Sequence, residues 1–107
     1  MLIVEPFPEF DDDVNGAVDY IAGHHFKASL RFLESIEETV RHLAAHPVSG
    51  SLVKFNDPGA QGLRVIGVQR YRNYLIYFRP LPDRIQLIRL VHGARRQRSV
   101  FKSPGDK

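Results

Sequence analysis

The spacing of apolar residues changes once along this chain, and that change constrains the fold more than any other feature. Phe10, Val14, Ala17, Val18 and Ile21 recur every three or four positions, and so do Phe32, Leu33, Ile36, Val40, Leu43 and Ala44. Each set makes one stripe on an α-helix. Pro8 opens the first helix, with Glu9, Asp11 and Asp12 at the positive end of its dipole, and Gly23 is its stop. The second is predicted over residues 26–45, ended by Pro47 because the residue before a proline avoids helical geometry. The two-residue link His24-His25 is short enough to fold the pair into an antiparallel hairpin.

From Ser49 the period shortens. Gly50, Asn56, Asp57, Pro58, Gly59 and Gly62 mark turns and a loop. Three β-rich runs follow, at about residues 63–69, 74–79 and 85–92, with Leu81-Pro82-Asp83 turning between the last two. In the last run Ile85, Leu87 and Val91 are predicted on one side and Ile88 and Leu90 on the other. Apolar residues on both sides place that strand inside a sheet. Leu2-Ile3-Val4 reads as a further short strand ended by Pro6. The expected fold is α+β: a short N-terminal strand, an antiparallel helical hairpin on a small, mainly antiparallel sheet, and a basic C-terminal tail, all in one domain over residues 1–107.

Charge divides the chain as sharply as periodicity does. Residues 1–40 hold nine acids against Lys27 and Arg31, a net of −7. Residues 41–107 hold thirteen Lys or Arg against Asp57, Asp83 and Asp106, a net of +10. This polarity points to an anionic partner for the second half and to attraction between the halves. No cysteine is present, so disulfides and thiolate metal sites are excluded. The N-terminal apolar run is too short for a signal peptide or a membrane span, so no membrane partner and a cytoplasmic location are expected.

Particular words sit inside this order. Asp19-Tyr20-Ile21-Ala22 closes the first helix, and Phe32, Ile36-Glu37-Glu38, His46-Pro47 and Gly50 span the second and its exit. Gly62-Leu63-Arg64 and Val68 follow, then the unbroken run 71–79 (Tyr71-Arg72-Asn73-Tyr74-Leu75-Ile76-Tyr77-Phe78-Arg79). The run 85–95 ends in the most specific word, His92-Gly93-Ala94-Arg95. Over about residues 8–101 the chain resembles ParE-type toxins of the RelE/ParE superfamily, the plasmid stabilisation system toxins. The resemblance implies the toxin of a type II toxin–antitoxin pair, held inactive in an oligomeric complex by a cognate ParD-like antitoxin. Members on the ParE side inhibit DNA gyrase and replication, and those on the RelE side cleave mRNA on the ribosome.

Residue by residue, the resemblance favours the gyrase branch. RelE-like nucleases are similar in fold but use sheet lysines and arginines with a C-terminal tyrosine. Aligned on Gly93, their arginine two residues on is Arg95, but their tyrosine falls on Phe101, which has no proton to exchange. Their strand arginine falls on Leu75, and Arg64 is the one cation clearly inside the preceding strand. Arginine itself stays charged and is a poor proton carrier. His92 reads as a hydrogen-bonded structural histidine ending the last strand; under the nuclease alternative, His92 and Arg95 would be its centre. His42 and His46 have metal-ligand spacing but no third ligand, so neither a metal nor a cofactor is expected.

The expected catalytic set is therefore empty, and the expected function is binding. Arg64, Arg70, Arg72 and Arg79, alternating with apolar residues along the strands, are candidate target-binding residues, as are Arg95, Arg96, Arg98 and Phe101 in the denser basic cluster. For the strand arginines, Arg84 and Arg89 included, the competing role is pairing with the acidic helices. Tyr20 and Phe32 read as core or hairpin residues. A degenerate toxin that only engages its antitoxin is a further alternative.

Overall fold

A computed structural model describes residues 2–54 and 61–93. Its elements, in chain order, are β1 (Ile3–Pro6), α1 (Pro8–His24), α2 (Phe26–Ala45), β2 (Ser51–Leu52), β3 (Arg64–Val68), β4 (Tyr71–Pro80) and β5 (Arg84–His92). The five strands form one mixed sheet in the order β1-β5-β4-β3-β2. β1 runs parallel to β5, and every other pairing is antiparallel. Both helices and all four expected strands are present, with β1 running on to Pro6 and β4 beginning at Tyr71, three residues earlier than expected. β5 lies inside the sheet as expected.

The helix ends show why the hairpin closes so tightly. Pro8 supplies a ready-made helical φ, and Glu9 and Asp11 sit in the first turn of α1. His24 belongs to α1, its Nδ1 donating to the Tyr20 carbonyl at 3.0 Å. The link is therefore His25 alone, one residue rather than two. Its extended backbone turns the chain, and its Nδ1 accepts from the Ala28 amide at 3.2 Å as the N-cap of α2.

The helices cover one face of the sheet. Phe10, Val14, Phe32, Ile36 and Leu43 meet Val68, Ile76, Phe78, Ile85, Leu87 and Leu90 there. Phe32 packs edge-on to both Tyr71 and Tyr74, with centroids 5.2 and 4.7 Å apart. Leu63, Tyr77 and Val91 form a smaller cluster on the opposite face, with Val65, Leu75 and Ile88 packed against it.

The alternation expected in the last strand breaks once. The β4–β5 register runs Tyr77↔Arg89 and then Phe78↔Leu87, leaving Ile88 as an extra residue. This bulge reverses the side-chain phase beyond it. Leu90 therefore joins Ile85 and Leu87 under the helices, and Val91 joins Ile88 on the other side. The sequence pattern alone had Leu90 and Val91 interchanged.

Candidate target-binding surface

Arg64 lies in register with Phe78, so its side chain shares the helix face at the exit of α2. There Nε donates to the Ser49 carbonyl at 3.1 Å, and Nη2 donates to the carbonyls of Val48 and Gly50 at 2.9 and 3.2 Å. One guanidinium thus holds three carbonyls of the α2–β2 connection. Gly50 allows this path because its φ is +72° and a Cβ would run into the Val65 carbonyl.

Arg79 is one residue from Phe78 at the same end of the sheet, and its Nε donates to the Gln61 carbonyl at 3.2 Å. Arg84 bridges Glu5 on β1 and its neighbour Asp83, at 3.4 and 3.3 Å.

Arg70 and Arg72 lie at the other end. Arg70 is not on a strand: with Gln69 it makes the two-residue turn between β3 and β4, at φ +67°. Its Nη2 reaches Glu38 on α2 at 2.8 Å, and the Gln69 amide donates to Thr39 Oγ1 at 3.0 Å. The hairpin tip is thereby fastened to the helix. Arg72 is exposed, and its side chain makes no hydrogen bond or ion pair among the described residues.

This end is also where the chain leaves the sheet. Tyr74 pairs with His92 in register, and the Gly93 amide donates to the Asn73 carbonyl. Gly93 is needed there, since a Cβ would stand 2.8 Å from that oxygen. Arg95, Arg96, Arg98 and Phe101 lie outside the described residues. The strand arginines named from sequence thus do not share one patch. Arg64 and Arg79 stand at one end of the sheet and Arg70 and Arg72 at the other, about 23 Å apart along β4 at ~3.3 Å per residue.

Other residues named from the sequence have these surroundings. Leu75 packs in the helix-free cluster beside Tyr77 and Val91. The Tyr77 hydroxyl is fully buried, and burial pushes its pKa up to about 12, so it keeps its proton at neutral pH. His92 is exposed, edge-on to Tyr74 with centroids 4.9 Å apart. His42 and His46 stack on each other at the end of α2. Ser49 Oγ donates to the His46 carbonyl at 2.7 Å and lies 3.1 Å from His42 Nε2, an arrangement that fastens the helix exit.

Two features escaped the sequence reading. The first is a groove of about 410 Å³ between α1 and the ends of β4 and β5, lined by Asp12, Gly16, Tyr20, Tyr74, Leu90 and His92 among others. Tyr20, expected in the core or hairpin packing, is 68% exposed on its wall. Its position on α1 outside the apolar stripe was the available signal. The second is the two-residue strand β2, too short to show any alternation.

The family model described as the ParE toxin of the type II toxin–antitoxin system, parDE, matches residues 4–97. The chain belongs to the ParE toxin family. It is accordingly the toxin component of a type II toxin–antitoxin system. A solved chain described as "Chromosomal ParDE TA system from P. aeruginosa" has the same fold at TM-score 0.71 and 19% sequence identity. The match covers 86% of this chain and 96% of that one. No curated protein matches the sequence. No helix among the described residues of this ParE-family toxin is long and apolar enough to cross a membrane.

Proposed function

We propose that this ParE-family toxin acts in the cytoplasm by binding and inhibiting DNA gyrase, breaking no bond itself, and that a cognate ParD-like antitoxin silences it in an oligomeric complex. The observation that carries the reading is the environment of Leu75, an apolar packing residue where, by the resemblance, a ribonuclease of this superfamily would present an arginine. A phosphate-cleaving site needs cations and a mobile proton together. Leu75 offers no cation, and Phe101, where the resemblance sets the nuclease tyrosine, has no proton to give.

Binding is assigned to the sheet end that carries Arg72 and releases the chain toward Arg95, Arg96, Arg98 and Phe101. Arginine at such a surface grips carboxylates or phosphates by paired hydrogen bonds and needs no proton transfer. Arg64, Arg70 and Arg79 serve the fold in this reading, because each is engaged with backbone carbonyls or with Glu38. The alternative of ribosome-dependent mRNA cleavage would centre on His92 and Arg95, of which His92 lies among the described residues and is exposed. A paired assay separates the two. Gyrase supercoiling with added toxin falls under the gyrase reading, whereas intact supercoiling with cleaved ribosome-bound mRNA would establish the nuclease.

A further inference from the structure

The groove beside α1 has the chemistry of a cation site. On its helix side, Asp12, Gly16 and Tyr20 follow one another at four-residue spacing and so share one face of α1. Tyr74, Leu90 and His92 close it from the strand ends. Asp12 is exposed and makes no ion pair among the described residues, whereas the neighbouring Asp13 is held by Arg89. Residues 8–24 carry five acids and no lysine or arginine. The helix side of the groove thus offers a cation the carboxylate of Asp12. Tyr20 and Tyr74 add aromatic rings, which attract a cation through their faces.

Gly16 is the observation that turns a charged surface into a recess. It sits in the interior of a 17-residue helix, is exposed, and a Cβ there would meet nothing within 4 Å. Packing gives no reason for a glycine, and the helix gives up roughly 1 kcal/mol relative to alanine by having one. What its smallness does is keep the groove open between Asp12 and Tyr20.

We propose that this groove receives a lysine or arginine side chain of the antitoxin. The inference rests on the antitoxin reading above and deepens it. The charge of α1 supplies the occupant: of its five acids only Asp13 is in an ion pair among the described residues, so a partner segment that crosses this helix is best matched by cations. The groove marks the point on α1 where such a cation is seated.

The test measures the affinity of the full-length toxin for its antitoxin by calorimetry in four forms: wild type, Gly16→Leu, Gly23→Leu and Asp12→Asn. Gly23 is the matched control, a second exposed α1 glycine whose Cβ would also meet nothing within 4 Å but which does not line the groove. Gly16→Leu is expected to fold with an unchanged or higher melting temperature yet bind at least about thirtyfold more weakly, the loss typical of a blocked anchor. Asp12→Asn is expected to bind about tenfold more weakly, with a shallower salt dependence. Gly23→Leu should bind as wild type does. A Lys/Arg→Met scan of the antitoxin should then reveal one cation whose removal has no further effect in the Gly16→Leu background. Wild-type affinity in Gly16→Leu, equal weakening by both leucines, or no such cation would each overturn the proposal. Failure of the wild-type chain to bind any antitoxin would overturn the parent reading instead, and is seen in the first arm.

Discussion

Arg89 on β5 and Asp13 on α1 form a two-point ion pair, Nε to Oδ2 at 2.7 Å and Nη2 to Oδ1 at 3.0 Å, and the Leu90 amide donates to the same Oδ2 at 3.0 Å. One carboxylate thus holds the helix, the strand side chain and the strand backbone just past the bulge at Ile88. The hydrogen bond to Asp13 is the main reason the Arg89 guanidinium is held above its ordinary pKa. Asp13→Ala leaves three N–H donors unmatched in a partly buried seam and is expected to cost about 2–3 kcal/mol in urea denaturation. Arg89→Met, which leaves Asp13 with the Leu90 amide, should cost less. Equal and small losses from both would show that the pair contributes little.

That pair also marks what was legible in the sequence. Attraction between an acidic first half and a basic second half was expected, and Arg89–Asp13, Arg70–Glu38 and Arg84–Glu5 are its local form. Helix periods placed α1 and α2 because each buries one stripe. The bulge at Ile88 was illegible, since it depends on pairing with β4 and leaves no mark in a run that is apolar on both faces. Arg64 was equally hidden: its partners are the carbonyls of residues 48–50, and backbone acceptors have no sequence signature. The groove lined by Tyr20 and Tyr74 joins residues 54 positions apart, which only the fold brings together.

The division of the arginines into two ends predicts a division of phenotypes. Arg64→Met removes three carbonyl contacts and is expected to lower stability by about 1–3 kcal/mol. Arg72→Glu should leave the melting temperature within about 2 °C of wild type, as an exposed substitution does, while relieving growth inhibition when the toxin is expressed alone. Full toxicity of a well-expressed Arg72→Glu variant would remove Arg72 from the binding surface.

Gly50 gives a backbone test. With φ at +72° and the Val65 carbonyl in the way, Gly50→Ala is expected to destabilise by at least about 1 kcal/mol. Thermal melting against wild type measures it, and an unchanged midpoint would contradict the described path between α2 and β2.

Tyr77 predicts a loss of stability in alkali. Below pH 10 the folded and unfolded chains both keep the phenol proton. Between about pH 10 and 12 only the unfolded chain releases it, so stability falls as pH rises, by up to about 2–3 kcal/mol. Denaturant titrations across that window should show the decline in wild type and a reduced slope in Tyr77→Phe. An equal slope in both would assign the effect to other groups.

The central claim is that this ParE-family toxin works by gripping a target and not by proton-transfer chemistry. The most direct measurement is ATP-dependent supercoiling by purified gyrase, titrated with wild-type toxin, His92→Gln and Arg72→Glu. The account predicts inhibition by wild type, the same inhibition by His92→Gln, and weakened inhibition by Arg72→Glu. Undiminished supercoiling with wild type, joined to His92-dependent cleavage of mRNA on ribosomes, would contradict it.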